Sequence, residues 1–183
     1  MAVSQGERIE EHVMSSAKTI SGAALIAAAA IGMSSAPTAL ATDGDYAING
    51  TFSVVSNGEW AKVNDRYQDE PTVRSTWTVN TTCSTAITCS GKVTSSLGWT
   101  EDIYTTSGLW YVKHYVPDWI PCPDGSRAPG LQVYRFIHAN EEGTAQQGSN
   151  LLAGEDETTG ISGNCGRNRS LVLTLPVKIT KID

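Results

Sequence analysis

Residues 170–182 read SLVLTLPVKITKI, and this stretch decides the fold class. Its apolar residues occupy alternate positions, at Leu171, Leu173, Leu175, Val177 and Ile179. Because successive side chains of a strand point to opposite faces, this period of two predicts a β-strand with one buried face. Pro176 lies on the other phase, where an edge or a bulge tolerates a residue without a backbone N–H.

The same period of two continues upstream from this strand, back to about Tyr46. Gly, Asn, Asp and Pro residues interrupt it at intervals of roughly eight to twelve residues, as in sandwiches and barrels. Residues 59–71 are polar and predict a loop or a helical turn, and residues 141–164, which are Gly-rich and acidic, predict a loop. The remaining segments predict about seven or eight strands and no long helix after the N-terminal region, which defines an all-β domain.

The predicted strands are joined by short connections, which favour pairing between neighbours in the chain. We therefore expect an antiparallel up-and-down β-barrel of lipocalin-like size, since full closure also leaves no exposed sheet edge. A two-sheet β-sandwich is the alternative, because the same strand rhythm is typical of both architectures.

An uncharged apolar segment lies between Thr19 and Met33, and it is short for a membrane-spanning helix. Small residues follow it, and Ala39-Leu40-Ala41 has the small-x-small pattern that signal peptidases recognise. These features predict a signal helix within a signal peptide over residues 1–41, cleaved after Ala41. Residues 42–183 are then one mature domain.

The leader before the apolar segment is unusual, because Glu7, Glu10 and Glu11 outnumber its basic residues. We interpret residues 1–13 as the product of a misassigned start, with an atypical leader as the alternative. No second apolar segment of membrane-spanning length follows. The mature domain is therefore predicted to be secreted or to lie in the cell envelope, without a membrane span.

Four cysteines lie in the predicted mature domain, at Cys83, Cys89, Cys122 and Cys165. An even set in an exported chain indicates two disulfides, for which three pairings exist. Strand-like sequence flanks Cys83 and Cys89, so a local bridge across a hairpin is the most economical choice and leaves Cys122 with Cys165. The longer loop, of about 44 residues, removes about 4 kcal/mol of unfolded-state freedom. The cysteine and histidine spacing does not match zinc ligands.

Charge and motifs exclude several function classes. The formal net charge is -6 without a basic cluster, and phosphate neutralisation supplies most non-specific affinity for nucleic acids, so no nucleic-acid partner is expected.

His114 and His138 lie on neighbouring predicted strands, as a general base or half a metal site would require. We interpret them as ordinary barrel residues, because no Gly-x-Ser-x-Gly nucleophile motif accompanies them. No catalytic, cofactor-binding or metal-ligating residue is assigned, and no cofactor is expected.

The aromatic residues are the most suggestive feature, since all five tryptophans lie in the predicted mature domain. Aromatic side chains around a barrel mouth form apolar or sugar-stacking sites. The candidate ligand-lining residues are Trp77, Trp99, Trp110 and Tyr134. The alternative is that they fill the core, because each of them buries a large area.

Five segments carry a resemblance to a known group: residues 57–62 (NGEWAK), 73–77 (VRSTW), 108–113 (GLWYVK), 121–125 (PCPDG) and 162–168 (SGNCGRN). They are similar to a group of small exported proteins of mycobacteria and related actinobacteria, which has no established activity. The resemblance covers nearly the whole mature domain. It implies an exported actinobacterial protein and agrees with the two disulfide pairings, but it transfers no catalytic or binding residue.

We expect a non-enzymatic exported binding domain that holds an apolar or amphipathic small molecule, such as a lipid, or a cell-envelope component, in the barrel. The first alternative is a secreted protein-interaction module with a solid core, which binds through residues 59–71 and 141–164. A filled barrel would favour this alternative. The second alternative is a small secreted hydrolase, which needs a convergent nucleophile and base that the sequence does not show.

Overall fold

The computed structural model describes residues 46–183. The predicted signal peptide, with Ala39 and Ala41, and the questioned residues 1–13 lie outside the described residues. The strands are β1 Gly50–Ser56, β2 Lys62–Val63, β3 Arg66–Tyr67, β4 Val73–Thr85, β5 Thr88–Ser95, β6 Thr100–Thr106, β7 Leu109–Pro121, β8 Arg127–His138, β9 Leu151–Gly160 and β10 Val172–Lys181. Single 3-10 turns form at Gly58–Trp60 and Asn164–Gly166.

Eight of these strands close into an antiparallel β-barrel, in the order β1-β4-β5-β6-β7-β8-β9-β10. Closure is made by β1, which pairs with β4 on one side and with β10 on the other. The β2–β3 hairpin attaches to the beginning of β10, where Val63 pairs with Leu173. The all-β prediction and the preference for a barrel over a sandwich are both confirmed.

One loop prediction is wrong, because residues 141–164 contain β9, which pairs with β8 and β10 along its length. Four of its inward-facing positions are Gly154, Asp156, Thr158 and Gly160. Small and polar residues on the buried face remove the apolar alternation that identifies a strand from sequence. Residues 59–71 contain the two short strands β2 and β3, and they begin within the 3-10 turn Gly58–Trp60, which agrees with the helical-turn alternative.

The middle of the barrel is a packed hydrophobic core. Alternate residues of every barrel strand point inward, as in β10, where Leu175, Val177 and Ile179 are buried while the residues between them are exposed. The largest fully buried side chains are aromatic: Trp77, Trp110, Tyr134 and Phe136. Burying side chains of this size contributes about 1.5–3 kcal/mol each, so these residues supply a large share of the hydrophobic stabilisation.

Two disulfides form with the predicted pairing, Cys83–Cys89 and Cys122–Cys165. The first joins directly opposed residues of the β4–β5 hairpin. The second ties the turn after β7 to the 3-10 turn at Asn164–Gly166. Since β4 and β7 run in opposite directions around the barrel, the bridges lie at opposite ends. We name these the Cys83–Cys89 end and the Cys122–Cys165 end.

The sequence predicts no membrane-spanning segment after the signal peptide. Within residues 46–183, no helix has the length and apolar character needed to cross a bilayer. The two helical turns in this range contain three residues each.

Candidate binding groove

Of the four aromatic residues predicted to line a ligand site, Trp77, Trp99 and Tyr134 contact one another inside the barrel, whereas Trp110 lies elsewhere in the same core and stacks on Tyr46. Trp77 contacts the Tyr134 ring edge-on, with ring centroids 4.8 Å apart, and the Trp99 ring at 5.6 Å. Trp77, Trp110 and Tyr134 are fully buried, whereas Trp99 is only half-buried. Such edge-to-face contacts are typical of a packed core. The ligand-lining role stays a prediction, and the packing favours the core interpretation for the three buried rings.

The barrel interior becomes polar towards the Cys122–Cys165 end. Asp156 is fully buried there and accepts hydrogen bonds from Ser56 Oγ at 2.7 Å and Gln132 Nε2 at 2.8 Å. Burial raises the pKa of the Asp156 carboxyl, and the hydrogen bonds from Ser56, Gln132 and Tyr134 partly offset that rise. Burial, together with the nearby Asp156, also raises the pKa of the Tyr134 hydroxyl. This cluster joins β1, β8 and β9, so it is a structural element of the barrel.

A second polar contact lies nearer the rim of the same end. His114 Nδ1 lies 3.1 Å from Glu101 Oε1, and its imidazole stacks on the Trp99 ring at 4.8 Å. The side chain of His114 is 16% exposed and that of Glu101 is 34% exposed. The stacking holds the imidazole against the wall of the barrel.

The two histidines do not meet, although they lie on the adjacent strands β7 and β8. His114 pairs with Gln132, six residues before His138, and this distance along a strand is about 20 Å. His138 lies at the Cys83–Cys89 end, with its ring nitrogens 3.0 Å from the Ser149 carbonyl and 3.1 Å from the Tyr46 carbonyl. This geometry agrees with the interpretation of both as ordinary barrel residues.

An open apolar groove lies at the Cys122–Cys165 end, between the β2–β3 hairpin, the end of β7 and the beginning of β10. Its volume is about 240 Å³, and we call it the groove. The apolar side chains that line it are Val63, Trp119, Ile120, Pro121, Leu171 and Leu173. Five of these are half-buried and Pro121 is exposed, so they present apolar surface to solvent without being part of the core.

The local sequence explains how Trp119 reaches the groove. The pairing of β7 with β8 shifts register between Val116 and Ile120, next to Pro117, which has no backbone N–H to donate. Glycines on the neighbouring strands leave room for the indole. A Cβ atom at Gly130 would lie 2.6 Å from Trp119 Cε3, and one at Gly160 would lie 3.1 Å from Trp119 Cζ3. Trp119 thus crosses the end of the barrel over backbone that has no side chains.

A smaller cleft of about 70 Å³ adjoins the groove and shares Ile120, Pro121 and Leu171 with it. Its other wall is the segment after β9, which contributes Ile161, Cys165, Arg167 and Arg169. The Cys122–Cys165 disulfide therefore forms part of the cleft wall. We call this second depression the cleft.

Sequence reasoning did not select Trp119 as a site residue. The sequence feature that could have identified Trp119 is the group of prolines around it, at Pro117, Pro121 and Pro123. Such a group predicts an irregular strand end, where a tryptophan is less buried than in the core. Among residues 46–183 there is no cluster of three or more His, Cys, Asp or Glu side chains that would hold a metal ion. The groove is suited chemically to binding apolar surface.

These features define a class of protein: a small disulfide-bonded antiparallel β-barrel with a packed interior and an apolar groove at one end. Its structure is similar to the monomer form of the PknI sensor domain of Mycobacterium tuberculosis, with a TM-score of 0.53 and 15% sequence identity. The similarity covers 74% of this chain and 87% of the PknI domain chain. At this identity the likeness shows the fold.

Comparison of the sequence with protein-family models gives no match. Comparison with curated proteins also gives no match. The role of the groove and the cleft therefore follows from the side chains that line them.

Proposed function

We propose that this protein is an exported, non-enzymatic binding domain, and that it holds an apolar or amphipathic small molecule in the groove. The observation that carries the proposal is the half-buried Trp119, which lies among aliphatic side chains at an open end of the barrel. Ligand pockets are mostly apolar and concave and occur in the mouths of β-barrels. The interior of the barrel offers less room for a ligand than the groove, because its central aromatic residues are packed against one another.

Two further observations support this proposal. Disulfides such as Cys83–Cys89 and Cys122–Cys165 are typical of oxidising compartments, in agreement with the predicted signal peptide. The similar PknI domain is described as a sensor domain, and a sensing role on this fold is an analogy for binding without catalysis.

The test is calorimetric titration of the protein with decanol, a neutral single-chain amphiphile. We expect saturable binding, and Trp119→Ala should weaken it at least threefold because that side chain supplies the largest apolar contact in the groove. Trp60→Ala is the matched control, since Trp60 is 61% exposed and does not line the groove. Near-ultraviolet circular dichroism reports folding, and Trp119→Tyr is the milder variant if the alanine variant is destabilised. Absence of saturable binding by the wild-type protein would refute the proposal.

A protein-interaction module is the second candidate, and one observation favours it. Trp60 and Tyr67 are 61% and 70% exposed, and their rings lie edge to face at 6.4 Å in the segment before β4. Exposed aromatic pairs of this kind are enriched in protein interfaces. If Trp60→Ala abolishes capture of a partner protein while decanol fails to bind, this candidate replaces the first.

A further inference from the structure

We propose that the natural ligand is a single-chain amphiphile with an anionic head, of the fatty-acid type. Its carboxylate lies at Arg167 and Arg169 in the cleft, and its chain passes over Ile120 and Leu171 into the groove towards Trp119. The inference rests on the proposed function and adds the charge of the head and the direction of the chain.

Arg167 and Arg169 supply the positive charge that an anionic head would bind. Among residues 46–183, neither guanidinium forms an ion pair or a side-chain hydrogen bond, so both are available to an anion, unlike Lys92, Arg135 and Lys178, which are paired with carboxylates. Both arginines line the cleft. Because guanidinium groups bind carboxylates through paired N–H donors, two of them beside apolar surface are complementary to an anionic head with an attached chain.

The backbone turn that carries the arginines is held in place by the fold. Arg167 follows Cys165, which is bonded to Cys122. The Gly163 N–H donates to the Arg167 carbonyl at 2.7 Å, and Asn164 Nδ2 donates to the Pro129 carbonyl at 3.1 Å. These bonds fix the turn that presents the guanidinium groups, so less entropy is lost on binding than from a loose segment.

Beyond the cleft, the charged residue that lines the groove is a carboxylate, which sets the direction of the ligand. Glu70 lines the groove there and accepts a hydrogen bond from Gln68 Nε2 at 2.7 Å. An anionic head would be repelled at Glu70 and attracted in the cleft. The chain therefore points from the arginines towards Val63 and Leu173.

A free ligand fits this end better than the surface of an anionic membrane. Asp65 at the β2–β3 turn, Asp118 at the end of β7 and Asp124 in the β7–β8 turn are exposed at the same end. A flat anionic surface would approach these carboxylates together with the arginines. The head of a single amphiphile in the cleft meets Arg167 and Arg169, which are the charged residues of the cleft lining.

The experiment compares decanoate, decanol and decylamine, each below its micelle concentration, by calorimetric titration of the wild-type protein and of Arg167→Gln/Arg169→Gln. We expect decanoate to bind most tightly, and the variant to lose about three- to tenfold in decanoate affinity, as for partly exposed ion pairs. Its affinity for decanol should change less than twofold. Arg74→Gln/Lys113→Gln removes the same charge outside the groove and the cleft and should leave both affinities unchanged.

The outcomes separate the two proposals. If the wild-type protein binds none of the three amphiphiles, the proposed function itself fails. If decanol and decanoate bind equally, and the glutamine variant does not distinguish them, the groove stands but the anionic head is refuted. Arg-dependent sedimentation with phosphatidylglycerol vesicles, without decanoate binding, would replace the free ligand by a membrane surface. Arg167→Lys/Arg169→Lys keeps the charge and should retain at least half of the preference for decanoate, which excludes misfolding as the cause.

Discussion

The Cys122–Cys165 disulfide should contribute more stability than Cys83–Cys89, because it closes a far longer loop. The bridges span sequence separations of 43 and 6 residues. In the chain-entropy relation, closing these loops removes about 4 kcal/mol and about 2.4 kcal/mol of unfolded-state freedom, respectively. For a domain of this size, these losses correspond to decreases in Tm of about 15 °C and about 9 °C.

The variants have to separate the effect of loop closure on stability from the effect of side-chain packing. Cys89 is fully buried and belongs to the hydrophobic core, so its replacement by alanine would add a cavity cost. Cys83→Ala/Cys89→Val fills that space with an apolar side chain of similar size. Cys122 and Cys165 are half-buried, and Cys122→Ala/Cys165→Ala is sufficient there.

Guanidinium chloride unfolding measures both the free energy of unfolding and its denaturant dependence, the m-value. The longer loop should give the larger loss of free energy, and also the larger rise in m-value, because the released unfolded chain exposes more surface. Equal losses of free energy in the two variants, or a greater loss on removal of the short bridge, would refute the reasoning.

Two predictions concern other parts of the barrel. Burial raises the pKa of the Asp156 carboxyl above its usual value of 3.8 in the folded state. The protonated carboxyl therefore contributes its full share to the free energy of unfolding below pH 3.8, and this contribution is lost as the pH rises through the raised pKa. Asp156→Asn should therefore flatten the fall in unfolding free energy above pH 4 and be at least as stable as the wild type at pH 7; an unchanged pH profile would contradict this. Gly130→Ala should displace the Trp119 indole, since its Cβ would lie 2.6 Å from the ring. We expect a shift in tryptophan emission and at least threefold weaker decanol binding. Gly143→Ala is the control: its Cβ meets no atom within 4 Å, and the strain from its positive φ of 78° lies between β8 and β9 at the other end of the barrel, so decanol binding should be unchanged.

The sequence alone determined the fold class and the covalent frame. Alternation in β10 and in most other strands predicted the all-β fold, because a strand with one buried face must alternate between apolar and polar residues. The disulfide pairing also followed from local sequence, since Cys83 and Cys89 flank a short hairpin. Both signals act over a few residues and need no knowledge of distant contacts.

The tertiary structure alone decided where β9 lies and which aromatic residues remain accessible. Several inward positions of β9 are small or polar: Gly160 accommodates Trp119, and Asp156 accepts hydrogen bonds from Ser56 and Gln132. These partners are remote in sequence. The groove has the same origin, since Val63, Trp119 and Leu171 meet only after the barrel has closed. A local pattern reports the neighbours along the chain, whereas a binding surface depends on which distant segments the closed sheet brings together.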